Sequence, residues 1–231
     1  MRRPALLAAF LILIGCAHAP APTAAPRGFE IRHAGDDEEA AAQVARVLPD
    51  ALKRVARWGT LSDPIVVRIQ PTSGAMAVAA GRPEDTWLRG WARRGLVDIQ
   101  SPRTWSRGRA RDEAMTALLA HELTHCLLFQ ELGASWSRRD VPGWFEEGMG
   151  SFTSGERRSG TGPADVSQAY GSADRAFRYL VARHGDEAVR AVLAALSTGQ
   201  PFPSAFAAAT GSPLPNFEEG LRLHLEAAAA R

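Results

Sequence analysis

The chain predicts an α+β fold: a small β-sheet in its first half, then a long buried helix, then a mostly helical remainder. Three observations point there. Ile65-Val-Val-Arg-Ile, after Asp63-Pro64, and Leu96-Val-Asp-Ile-Gln, ended by Ser101-Pro102, read as strands. Glu113 to Leu132 is rich in good helix formers, holds neither Pro nor Gly, and stops at Gly133. From residue 164 onward the pattern is helical almost throughout. With 231 residues and 45% hydrophobic side chains, the chain can bury one sizeable core.

The elements follow in order. Met1-Arg-Arg precedes an eleven-residue apolar run, Ala5 to Gly15, which has the length of a signal-peptide core and is too short to span a bilayer. Leu13-Ile14-Gly15-Cys16 resembles the bacterial lipobox, which implies cleavage before Cys16 and a lipid on its sulfur; an ordinary secretory cut near Ala17 or Ala19 is the alternative. Ala17 is not the Asp that enterobacterial lipoproteins use for inner-membrane retention, so an outer-membrane anchor facing the periplasm is expected. The expected division is residues 1–15 as signal, 16–28 as lipidated cysteine and Pro/Ala tether, and 29–231 as a single domain.

Asp36 to Trp58 carries an apolar stripe of Val44, Val47, Leu48, Leu52 and Val55, with Pro49 as a point of kinking or division. Thr72 to Ala80 reads as a short helix. Trp87, Trp91 and Trp105 flank the second strand, where they either pack or line a groove. Pro142-Gly143 opens a further helix, and 154–163 reads as a loop. Helices are then expected over Ala164–Arg183, Asp186–Leu196, Pro203–Ala209 and Pro215–Ala229, with Gly185 as a helix stop.

The chemistry concentrates in His121-Glu122-Leu123-Thr124-His125. Histidines at i and i+4 of a helix lie about 40° apart and about 6 Å along the axis, so both imidazoles can reach one metal ion. The glutamate after the first histidine is placed to act as a general base on metal-activated water. The competing reading is a pair of core histidines hydrogen-bonded to backbone carbonyls. The metzincin continuation needs Gly at 128 and His at 131, where this chain has Leu128 and Glu131. Glu131 points about 240° away from His125, so a carboxylate ligand is sought on the next helix, at Glu146 or Glu147.

HELTH, twenty-one residues, and then Glu147 within Pro-Gly-Trp-Phe-Glu-Glu-Gly-Met-Gly resemble the gluzincins, and most closely the peptidase MA-like family with its P-x-W-x-x-E-G motif. The resemblance covers roughly residues 60–225 and is sharp only at these motifs. It implies a zincin-like fold with a small mixed sheet, one Zn2+ held by His121, His125 and Glu147, and Glu122 as catalytic base. It leaves Glu146 as a neighbour, and it puts Ser151 where some gluzincins carry an Asp that orients a ligand histidine. It also aligns Tyr170 with the tyrosine that stabilises an oxyanion; packing at a helix start is the other reading. Ser73-Gly-Ala-Met-Ala looks like the GAMEN anchor of gluzincin aminopeptidases but lacks its Asn and Glu, which favours endopeptidase activity.

The implied function is a zinc peptidase acting on peptides or proteins at the cell envelope. The alternatives are a non-catalytic envelope lipoprotein that binds peptides or acts as a scaffold, and a zinc amide hydrolase with a non-protein substrate. Nucleic acid is not an expected partner. Residues 1–15 carry two arginines and no acid, so without them the 27 basic residues fall to match the 25 acidic ones. With Cys16 acylated, Cys126 stands alone and reads as a small core residue. Oligomeric state is not legible. Mass spectrometry of membrane-extracted protein is expected to show a lipid-modified N-terminus at Cys16; an unmodified start beyond it removes the lipoprotein assignment.

Overall fold

The computed structural model describes residues 26–105, 110–133, 141–155 and 164–230. The signal, lipidation and tether assignments, apart from residues 26–28, therefore lie outside the described residues, as does 156–163 of the expected loop. Among the described residues no helix is long and apolar enough to cross a membrane.

Four strands form one mixed sheet in the order β1-β2-β4-β3. They are β1 (Phe29–Arg32), β2 (Ile65–Gln70), β3 (Gly90–Arg93) and β4 (Leu96–Gln100). β1, β2 and β4 run parallel, with Phe29 opposite Ile65 and Val66 opposite Leu96. β3 runs antiparallel to β4, with Gly90 opposite Ile99, and forms one outer edge. The sheet and the helical remainder make the fold α+β, as the sequence predicts. Two strands were not legible. β1 has only four residues of alternating pattern, and Gly-Trp-Ala-Arg in β3 contains no β-branched residue.

One face of the sheet, Ile65, Val67, Ile69, Val97 and Ile99, is buried against the main core. That core is closed by α1 (Glu38–Val55) and α3 (Ala110–Leu132). Val44, Val47, Leu48 and Val55 of α1 are buried as the stripe requires, and Leu52 packs at its margin. Pro49 neither ends nor divides α1; it sits on the exposed side, where the carbonyl it leaves unbonded can meet water. The other sheet face meets α2 (Ser73–Ala80). There Thr72 caps the helix by accepting from the Ala75 N–H, and Gly81 closes it at φ 74°.

Asp98 is fully buried on this second face. Arg68 donates to it at 2.7 and 2.8 Å, Gln70 donates at 2.7 Å, and Arg93 lies 3.5 Å away. A carboxylate with that many donors is tolerated inside; one with fewer would be expelled.

The C-terminal part is α4 (Gly143–Ser154), α5 (Ala164–Ser197), α6 (Phe202–Thr210) and α7 (Leu214–Ala229). α5 breaks at Gly185 (φ 76°, ψ 175°), as expected of that glycine. An aromatic cluster holds these helices together. Trp144 stacks on Phe217 at 5.4 Å, while Phe145 meets Phe177 and Phe202 edge-on at 5.5 and 4.9 Å.

Replacing Asp98 with Ala strands the Arg68 and Gln70 donors beside the sheet. Because Arg68 is half exposed and can find water, the expected loss is about 2 kcal/mol, read as a lower urea midpoint.

Candidate metal centre

The candidate metal-binding face begins with α3. Every residue from Met115 to Leu128 is buried, because the sheet, α1 and α4 enclose the helix. His121, Glu122 and His125 are therefore carried into the interior by the apolar residues around them, at 3%, 6% and 7% exposure. The rings of His121 and His125 meet edge to face at 4.8 Å, and their Nε2 atoms lie 3.1 Å apart.

Glu147 comes from α4. Its Oε2 is 3.5 Å from the His121 Nε2 and 3.7 Å from the His125 Nε2. Two donors on a tetrahedral ion with bonds of about 2.0–2.1 Å lie about 3.3 Å apart. The three edges of this triangle, 3.1, 3.5 and 3.7 Å, surround that value, and the donor set of two imidazoles and a carboxylate is a metal-binding one. The residues fit a metal ion as they stand.

α4 reaches the histidines because of its glycines. A Cβ at Gly150 would lie 2.9 Å from Cε1 and 3.0 Å from Nδ1 of the His121 ring. A Cβ at Gly148 would lie 2.4 Å from the Ala173 carbonyl oxygen of α5. Glu147 is thus carried on a helix pressed between α3 and α5, and Trp144 fixes its start against Phe217. A third glycine serves Glu122. A Cβ at Gly90 in β3 would lie 2.4 Å from the Glu122 Oε1, so the bare backbone of β3 is what makes room for this carboxylate. The sequence motif contains Gly148 and Gly150, but the reason for them, and the role of Gly90, appear only in the packing.

Glu146 is mostly buried, and its Oε1 lies 3.6 Å from Nδ1 of His125, the nitrogen on the far side of the ring from Glu147. Burial, and secondarily the charge of Glu147, pushes its carboxyl up to about 7. It is a partner of a cluster histidine rather than a surface residue. Ser151 is buried, and its hydroxyl makes no hydrogen bond to either histidine among the described residues. Tyr170 lies within α5, but its side chain is outside the described residues. Cys126 faces β3, where its Sγ donates to the Arg93 carbonyl at 3.5 Å; burial raises the thiol to about 12. It is a core residue and takes no part in the cluster.

The cluster opens into a cleft of about 680 Å³ bounded by β3 on one side and by α3 and α4 on the other. Trp91 and Leu88 line its apolar end, and Phe129 stands beside His125. Trp87 packs in the small cluster with Met76, Ala80 and Leu88, and Trp105 donates to the Gln100 carbonyl; neither lines the cleft. The cleft also borders the outer edge of β3, with which no described strand pairs. The Gln100 N–H bonds to the Arg89 carbonyl, so in the antiparallel pattern Gly90 and Ala92 direct their N–H and C=O groups away from β4.

Gly150→Ala is expected to displace the His121 ring and weaken metal binding at least about tenfold, measured by competition with a coloured chelator; wild-type affinity would show that the close approach is not needed. Comparison of the chain with protein-family models, with curated proteins and with solved structures gives no match.

Proposed function

We propose that the protein is a zinc-dependent peptidase of gluzincin type with a zincin-like fold, acting as an endopeptidase. The observation that supports this best is the convergence of His121, His125 and Glu147 on one point, with Glu122 in the same cleft beside the open edge of β3. His121, His125 and Glu147 would hold the ion. When bound, zinc lowers the pKa of a coordinated water towards about 7 and polarises a carbonyl.

The chain's own residues do the rest. An extended peptide can add to β3 through the outward groups of Gly90 and Ala92, which fixes the depth of its backbone in the cleft. Glu122 accepts a proton from the attacking water and delivers it to the leaving amine. Its burial and its seat against Gly90 limit the positions its carboxylate can take. Glu146 holds the orientation of His125 from behind. Tyr170, by the resemblance, donates a hydrogen bond to the developing oxyanion. Trp91 and Leu88 offer an apolar wall to a substrate side chain.

The test is cleavage of a diverse peptide library by the zinc-loaded protein and a set of variants. Cuts are expected for wild type. Glu122→Ala should keep zinc and lose turnover by a factor on the order of a thousand or more. His121→Ala should lose both. Gly90→Ala should retain zinc and slow turnover, since its Cβ displaces the Glu122 carboxylate. Tyr170→Phe should lower kcat with zinc retained. Turnover persisting in Glu122→Ala would overturn the mechanism, and bound zinc with no cut in any peptide would overturn the peptidase reading.

A further inference from the structure

Two hollows continue from Glu147 along the C-terminal helices. The first, about 540 Å³, lies between α4, α5 and α7. Trp144 and Glu218 form one wall and Leu221 and Leu225 another, while the small side chains of Ala173 and Ala176 leave its floor open. Glu147 lines both this slot and the cleft. The second hollow, about 560 Å³, runs on between α5 and α7, and Leu225 lines both it and the slot. Its other lining residues include Arg175, Arg178, Arg183 and His224, and among the described residues no carboxylate.

The charges of this groove are unusual for the chain. Twelve arginines among the described residues make an ion pair with a carboxylate. Arg178 is one of them, held by Asp174 at 2.8 Å. Arg175 and Arg183 make none among the described residues; Arg175 donates only to the Ser172 hydroxyl, at 3.2 Å. Of the three acids on α7, Glu219 and Glu226 are engaged by Arg222, and Glu218 lines the slot, where it accepts from the Trp144 Nε1 at 3.4 Å; none of the three lines the second hollow. Arg175 and Arg183, with no carboxylate partner among the described residues, lie beside Arg178 and make a local positive field beyond the apolar part of the slot, which itself begins at the proposed metal ligand.

We infer that this track is a substrate-binding extension of the cleft, selecting peptides that carry an apolar residue followed, about four or five positions further along, by acidic ones. The inference rests on the peptidase reading above. The spacing follows from the helix. Ala173 and Arg183 are ten residues apart on α5, about 15 Å at 1.5 Å per residue, and an extended peptide covers that in four to five residues. The apolar side chain fills the slot beside Trp144, and the carboxylates meet Arg175 and Arg183. Arginine suits this role because its planar fork accepts a carboxylate in two-point contact.

The experiment has two arms. In the first, library cuts are aligned on the scissile bond. Enrichment of Leu, Met or Phe at one position, and of Asp or Glu about four or five residues beyond it on the same side, is expected. The double variant Arg175→Glu, Arg183→Glu should raise KM for such a peptide about tenfold with kcat unchanged, and should prefer the Lys-substituted peptide instead. In the second arm, fluorescence anisotropy follows a labelled acidic peptide on the inactive Glu122→Gln protein. The double variant should weaken Kd about tenfold, and wild-type binding should weaken with added salt. Cleavage without an acidic preference, together with equal Kd for Asp and Lys peptides, overturns the inference and leaves the peptidase standing. Salt-dependent binding through the two arginines without any cleavage overturns the peptidase and with it the substrate role of the track. Circular dichroism of the double variant guards against misfolding, and Arg175→Ala alone should lose a smaller part of the same affinity.

Discussion

The closeness of α4 to its neighbours governs this structure. Glu147 meets the two histidines only because α4 can lie against the His121 ring at Gly150 and against the α5 backbone at Gly148. Interiors are packed too densely to admit a methyl group at such distances without a shift of backbone or ring. Trp144 and Phe145 supply the opposing pressure from the aromatic cluster, so the helix is held in place from one side and given room on the other. Everything chemical about the site is downstream of that contact. The donor triangle, the cleft and the path along α5 all meet at a single carboxylate on this helix.

The buried charges of the sheet and of the cluster are met in two different ways. Asp98 illustrates the first on the far side of the sheet, where Arg68 and Gln70 surround a carboxylate that has no exposure of its own. The cluster on α3 illustrates the second. Its histidines and glutamates face one another across short distances, an arrangement that a divalent cation would convert from mutual crowding into coordination. The helix beneath is buried from Met115 to Leu128, so the cluster meets solvent on its cleft side, where β3 and α4 border it.

Much of this was written into the chain in local form. A helix apolar on all sides with two histidines four residues apart is legible because spacing and burial are properties of one segment. The division of α5 at Gly185 and the short helix α2 are equally local, although Thr72 caps that helix rather than opening it. What escaped were features defined by two segments at once. β3 is a strand because it pairs with β4 and packs on α3, not because Gly-Trp-Ala-Arg prefers to extend. Gly90 matters only through the Glu122 side chain that occupies its missing Cβ, and Glu146 only through a histidine twenty-one positions earlier that the fold brings to 3.6 Å. The choice of Glu147 over Glu146 came from resemblance, and the structure gives each a distinct place, one on the donor triangle and one behind it.

The order of the sheet has a consequence for how the molecule presents itself. β1, where the N-terminal segment enters the fold, and β3, which borders the cleft, are its two outer strands, with β2 and β4 between them. Three inter-strand spacings separate them, about 14 Å. Whatever precedes residue 26 is therefore joined to the domain at the rim away from the cleft. The point at which the chain enters the fold is thus kept clear of the strand that borders the cleft.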